Sequence, residues 1–419
     1  MKKNLLVICT ILLVVMVATF PTVFAAKVEV RISGWGGSDQ PIIEEMLRKF
    51  VNPAMEKEGV SVLYEPIADD FQRFIVNALS AKTAPDLFYM DIFWAQSLIK
   101  AGQIEPLDKY ISESKILKKD HIISSLLDAF TYQGKVYGIP KDFNTLALFY
   151  NKDLFDLAGV NYPDENDTWD TLETKLKQVS KLDGVYGLAL QPEFARMGQL
   201  AYAAGFEPFD KNGKTDLSHP GFKSAFEWYT GLAKSKAGIM PADIGQGWGG
   251  GAFATEQVAA CIEGAWVVGF LKDQAPNLNY GTTFIPKAPK TRKRGNLIFC
   301  VAWGMNKDAK NKKATFKVLE QLTSPEVQQW ILERGLALPS RAAQADNPYF
   351  KQNTSEAEAN YIVFKGASEG IVLPFSFRDY GGRWMDPINE ALRSVMSGEY
   401  TAAEGIKEAQ NRLDQEMKR

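Results

Sequence analysis

Polar and apolar residues alternate from Val28 to Ser33 and stop at Gly34–Trp35–Gly36–Gly37, the pattern of a strand running into a turn. Pro41 then opens a helical stripe of Ile42, Ile43, Met46, Leu47 and Phe50. Val60–Tyr64 reads as the next strand. After the loop Glu65–Asp70, Asp70 is placed to cap a helix carrying Phe71, Phe74, Ile75, Ala78 and Leu79. Leu87–Met90 is a third strand and ends at Asp91–Ile92–Phe93–Trp94. Strand, helix, strand, helix, strand predicts an α/β fold built on a parallel, doubly wound sheet. In such sheets ligands bind outside the carboxyl ends of the strands. That rule selects the loops Gly34–Ser38, Glu65–Asp70 and Asp91–Trp94, and with them Trp35, Asp69, Asp91 and Trp94.

The middle of the chain, KVYGIPKDFNTLALFYNKDLF (Lys135–Phe155), places a short strand at Val136–Tyr137 that stops at Pro140. A buried strand follows at Leu146–Tyr150. The charged pair Lys141–Asp142 and Asn144 lie between them, as polar groups do where a crossing point faces a cleft. The second half repeats the pattern. Thr168 caps a helix (Leu172, Leu176, Val179), and Val185–Leu190, Val258–Ile262 and Tyr280–Ile285 read as strands. The second of these ends at Glu263–Gly264–Ala265–Trp266. No Pro-rich or low-complexity linker separates the halves, so the chain is expected to cross between two lobes near Asn144–Leu148 and Ile298–Ala302. From Pro387 onward the pattern is helical, with Gly398 as a stop.

The first residues add a compartment. Met1–Lys2–Lys3, an apolar run from Leu5 to Phe20, and a small-residue end at Ala25–Ala26 have the form of a secretory signal peptide, residues 1–25. The run is short for a spanning helix. Its removal takes Lys2 and Lys3 with it, so the formal charge of −2 becomes −4. That balance carries no electrostatic footprint for nucleic acid and no polybasic membrane patch. Cys261 and Cys300 remain, each in an apolar run; they are two buried thiols or, in an oxidising compartment, a disulfide.

Candidate chemistry is defined first by what is missing. The two histidines, His121 and His219, lie in unrelated surroundings, which leaves little material for a Ser–His–acid triad or a multi-His zinc site. Tryptophans are abundant, and Trp35, Trp94, Trp248, Trp266, Trp303 and Trp384 lie near glycine-rich turns or at element ends. Sugar rings present apolar faces rimmed by hydroxyls, which aromatic faces and planar carboxylates, amides or guanidinium groups satisfy together. The segment Leu373–Trp384 concentrates Arg378, Tyr380 and Trp384 around two glycines, and Trp248 is the only large side chain of a mobile loop, Gly245–Gly251.

Several passages resemble the family-1 extracellular solute-binding proteins, the maltose-binding type. They are the "YGIP … YNKDLF" stretch above, PDLFYMDIFWAQSLIKAGQIEPLDKYI (Pro85–Ile111), TWDTLETKLKQVSK (Thr168–Lys181), NGKTDLSHPGFKSAFEWYTGL (Asn212–Leu232), FATEQVAACIEGAW (Phe253–Trp266) and LTSPEVQQWI (Leu322–Ile331). The resemblance implies a two-lobed periplasmic-binding-protein fold (type II), each lobe a sheet flanked by helices, with a ligand cleft at the hinge. Its lobes would be residues 27–143 with 303–337 and residues 144–302 with 338–419. It implies a monomeric, non-catalytic sugar receptor without cofactor or metal, outside the cytoplasm, which delivers its ligand to the membrane permease of an ABC importer. By position, Asp91 matches an acid that accepts sugar hydroxyls, Trp266 a stacking residue, and Trp384 lies near another. Asp142 and Asn144 fall where a cleft polar residue is expected; Gln191 and Glu193 match only loosely. An exported carbohydrate-active enzyme using a carboxylate pair, or a receptor for a cation such as a polyamine, is the competing expectation.

Overall fold

The computed structural model describes residues 27–418 other than 38, 236 and 345; the expected signal segment, 1–25, lies outside the described residues. The first strands are β1 (Val28–Trp35), β2 (Val60–Ile67) and β3 (Leu87–Asp91). A hairpin of β4 (Thr131–Tyr132) and β5 (Lys135–Val136) leads into β6 (Gly138–Asn144) and β7 (Ala147–Asn151). There follow β8 (Tyr186–Ala189), β9 (Gly238–Ile239), β10 (Val258–Glu263) and β11 (Tyr280–Thr283). The last two are β12 (Gly295–Met305) and β13 (Ile371–Pro374).

They form two main sheets flanked by helices. One has the order β13-β12-β3-β1-β2, with β6 also on β12; the other has the order β11-β7-β10-β8-β9. β1 runs parallel to β2 and β3, as the strand–helix alternation predicts. β3 is apolar along almost its whole length and buried, as a central strand covered on both faces must be. The sheets are nonetheless mixed. β12 is antiparallel to β3 and β6, and β7 is antiparallel to β10 and β11. These strands arrive from elsewhere in the chain and not through a crossover helix, so strand–helix alternation does not announce them.

Asn144 ends a strand of the first sheet, and Ala147 begins one of the second. The segment between them is held by Asn296 of β12. Its side-chain oxygen accepts from the Leu146 N–H at 2.9 Å, and its amide donates to the Leu146 carbonyl at 2.8 Å. A buried amide satisfied on both sides fixes the two long segments against each other.

One local expectation is corrected. Pro140 does not end a strand: β6 runs through it, opposite Ala302 of β12. The register then slips, with Val301 opposite Asp142 and Ala302 opposite Pro140, so that Lys141 is an extra residue in a β-bulge. A proline and a bulge occur together because the missing N–H already interrupts the ladder. The cysteines are both free and buried, Cys261 on β10 and Cys300 on β12. The caps fall where expected. Asp70 accepts from the Arg73 N–H at 3.3 Å, and Thr168 accepts from the Thr171 N–H at 3.4 Å.

Candidate functional site

A cavity of about 610 Å³ lies between the two sheets. Trp35 and Asp91 enter it from the carboxyl ends of β1 and β3, where a parallel sheet leaves its ligand crevice. Lys141, Asp142 and Asn144 come from β6 and Phe299 and Cys300 from β12. Glu193 and Arg196 stand at the start of helix Phe194–Ala203, and Trp248 and Trp266 face them.

Trp266 is the most constrained of these side chains. It follows β10 through Gly264, where an added Cβ would lie 2.5 Å from the indole. Its Nε1–H donates to Glu263 Oε2 at 2.8 Å, and Arg196 Nη2 donates to the same oxygen at 2.8 Å. The Arg196 guanidinium lies 5.4 Å from the centre of the Trp266 ring, a cation–π distance. Phe299 meets the ring edge-on at 5.5 Å. Glu263 is 1% exposed, and burial pushes its carboxyl up from its ordinary value, opposed by Arg196. Gly249 packs against it: a Cβ there would lie 2.7 Å from Glu263 Oε1, so a larger residue would have to displace that oxygen. The indole N–H is therefore already used, and the ring offers the cavity only the surface that Arg196 and Phe299 leave uncovered.

The carboxylates form the second half of the site. The bulge aims Lys141 inward, where it forms a buried ion pair with Asp142, and its Nζ stands 4.5 Å from the Tyr89 ring centre. Burial raises Asp91 to about 7; the nearby Asp142 adds to this, while the Phe93 N–H, 2.9 Å from Oδ1, and Lys141 oppose it. Burial likewise raises Asp39 to about 6, with Lys141 opposing and Asp142 adding. Asn144 Oδ1 accepts from the Ala265 N–H at 2.9 Å and so ties the crossing strand to the turn before Trp266. The cavity thus combines indole faces with carboxylates, an amide, an ammonium and a guanidinium, a set suited to a ring with apolar faces and hydroxyl edges.

Of the residues expected from sequence, Trp35, Asp91, Asp142, Asn144, Trp248 and Trp266 are brought together here. The others are elsewhere. Trp303 is 1% exposed in the body of β12, with its ring 4.5 Å from that of Tyr89; it is core. Trp384 is fully buried, stacks on Phe377 at 4.3 Å and donates its N–H to Thr215 Oγ1 at 2.8 Å. Trp94, Arg378 and Tyr380 line a separate groove, with the Arg378 guanidinium 4.5 Å from the Phe209 ring centre. Asp69 is exposed and lines neither. Sequence reasoning left Asp39, Arg196 and Asn389 unassigned. For Arg196 there was a signal: a lone cation within FARMGQLAYAAG, complementary to the lone acid ending VAACIE. Among the described residues no cluster of three or more His, Cys, Asp or Glu could hold a metal ion, and no helix is long and apolar enough to cross a membrane.

A family model described as bacterial extracellular solute-binding protein matches residues 49–358. A binding protein of Brucella abortus (strain 2308) is 26% identical over 406 residues, 94% of each chain. The maltooligosaccharide ABC transporter solute-binding lipoprotein of Streptococcus pneumoniae is 26% identical over 323 residues, 74% of this chain and 73% of that one. Among solved structures, the ABC substrate-binding protein of Listeria monocytogenes in complex with cycloalternan shares the fold, with a TM-score of 0.82 at 21% identity over 93% of this chain and 99% of that one.

Proposed function

This chain belongs to the bacterial extracellular solute-binding proteins, and from that premise we propose that it is a carbohydrate receptor of an ABC importer. A sugar enters between two lobes, 27–143 with 303–337 and 144–302 with 338–419, and each lobe supplies part of its shell. Closure is favoured because the ligand touches both lobes only in the closed state. The closed monomer then presents the ligand to a membrane permease and carries out no chemistry on it. Residues 1–25 direct export and are removed. The observation that carries this reading is the indole of Trp266, held by Glu263 and Arg196 across a cavity from Asp91, Asp142 and Asn144. The names of the relatives, a maltooligosaccharide-binding lipoprotein and a protein complexed with cycloalternan, support a sugar as the solute.

A thermal-shift scan of the mature protein against mono-, di- and oligosaccharides, with polyamines and amino acids included, tests it. A ligand at about 100 times its dissociation constant adds about 2.7 kcal/mol to stability. The expected result is a clear shift with one sugar class and no new reducing ends on long incubation. A shift with polyamines alone would replace the sugar by a cation. Turnover lost on changing Asp39 or Asp91, cavity acids that burial raises to about 6 and about 7, would make the protein a hydrolase.

A further inference from the structure

The cavity holds more acids than cations. Asp39, Asp91, Asp142 and Glu193 line it, against Lys141 and Arg196. Both cations are already engaged. Lys141 forms its buried ion pair with Asp142, and Arg196 donates to Glu263 at 2.8 Å, with Glu193 near it. Asp39 and Asp91 are left over. Among the described residues neither has an ion pair; the Asp91 carboxyl accepts only from the Phe93 N–H, at 2.9 Å, and that of Asp39 accepts no hydrogen bond.

The two leftover acids come from different elements, the start of helix Asp39–Met46 and the carboxyl end of β3, and the charges of Lys141 and Asp142 act on both. The half-buried Trp35 indole lines the cavity with them and meets the Tyr89 ring edge-on at 5.3 Å. Tyr89 is fully buried, and its hydroxyl, which the charges of Asp39 and Asp142 reach, has no hydrogen-bond partner among the described residues. The remaining polar neighbours are engaged elsewhere: Tyr64 donates to the Trp35 carbonyl at 2.9 Å, and Cys300 to the Asp142 carbonyl at 3.1 Å. Among the described residues, the chain thus supplies no free counter-charge to Asp39 and Asp91.

Enclosing an ionised carboxylate without a partner costs free energy that a paired and hydrogen-bonded one recovers. In the unliganded chain burial raises both acids, so protons make up the missing charge. A ligand hydroxyl meets only the hydrogen-bonding need. An ammonium meets the charge as well, through charge-assisted hydrogen bonds, and is favoured beside an indole face. We infer that the sugar taken by this receptor carries a basic amino group, which pairs with Asp39 and Asp91 beside Trp35. This rests on the sugar-receptor reading and names the class of sugar.

Calorimetric titration of the mature protein at neutral pH would use glucose, mannose, galactose and their disaccharides. Each would be compared with its amino-deoxy counterparts, one hydroxyl replaced by an amine in turn, and with the N-acetylated forms, which keep the shape and lose the charge. One amino sugar should bind at least about tenfold tighter than both its hydroxyl and its N-acetyl counterpart. Asp39→Asn and Asp91→Asn should each lower that amine-to-hydroxyl ratio by at least about fivefold, whatever they do to the neutral sugar, without lowering the unfolding temperature. A parent that binds a neutral sugar as tightly as all its amino counterparts overturns the amino-sugar class and leaves the sugar receptor standing. A ratio unchanged in both variants overturns the pairing with Asp39 and Asp91. No binding to any sugar, with or without an amine, removes the receptor reading itself, and this inference with it.

Discussion

Two segments look alike in sequence and do different work. Glu263–Trp266 and Arg378–Trp384 each combine charge, glycine and a tryptophan at the start of a helix. In the first, the indole N–H meets a buried carboxylate shared with Arg196, and the half-buried ring stands in the cavity wall. In the second, the N–H meets the hydroxyl of Thr215, and the ring is packed between Phe377, Phe194 and Phe209. The difference lies in what precedes each tryptophan. Trp266 follows the carboxyl end of the central strand β10, where a sheet opens a crevice, whereas Trp384 follows the edge strand β13 by a turn of irregular chain. Local composition marks a tryptophan as special; position at a strand end decides whether it lines the cavity or the core.

The largest consequence falls on the core member. Trp384→Ala removes a fully buried ring and should cost about 3–5 kcal/mol of stability. Whatever remains folded should bind sugar with parental affinity. Urea unfolding and titration of the same preparation check both halves. A stable variant with weakened binding would place Trp384 in the site and erase the contrast.

Trp266→Ala should do the opposite. The indole is half-buried, so stability should fall by less than for Trp384, while sugar affinity should drop by at least about tenfold, equivalent to about 1.4 kcal/mol. Equal affinity in the variant would remove stacking on Trp266 from the account.

The same contrast shows what could be read in the chain and what could not. Strands β1, β2, β3 and β10 and the caps at Asp70 and Thr168 are local, and their patterns are legible. So are Asp91 and Trp266, which sit where a strand ends. Trp303 is not legible in this way: glycine follows it as at a turn, yet β12 runs from Gly295 to Met305 and places it inside a strand. Arg196 and Asp39 become site residues only when segments far apart in sequence converge, and a pattern of apolar positions does not encode that meeting. The bulge at Lys141 depends on which strand pairs with β6, and strand order is not a local property.

A smaller effect separates the cavity from the rest of the molecule by pH. Asp91 moves from 3.8 to about 7 in the folded protein, and Asp39 from 3.8 to about 6. Between those values the folded chain holds protons that the unfolded chain has released, so stability falls as pH rises through the window. The unliganded protein should therefore unfold at progressively lower temperature from about pH 5 to about pH 7.5, apart from the contributions of other groups. Asp91→Asn removes the larger shift and should flatten that slope. An unchanged slope in the variant would mean that Asp91 is solvated and ionised, and so not enclosed in the cavity wall.

The smallest expected effect is the sharpest test of the comparison. Arg378 looked in sequence like the best hydrogen-bonding fork for a sugar. Its guanidinium instead lies over Phe209, and its backbone holds a left-handed φ of 54° beside Asp379, which pairs with Lys100 at 2.5 Å. The groove it lines shares no residue with the main cavity, and Phe93 stacks on Phe375, a residue of the cavity wall, between the two. Arg378→Ala should leave sugar affinity within about twofold of the parent and cost at most about 1 kcal/mol of stability, the value of an exposed cation–π contact. A tenfold loss of affinity at unchanged stability would join the groove to the ligand path. The aromatic cluster at Leu373–Trp384 would then be a second binding surface, and strand-end position would no longer distinguish it from Trp266.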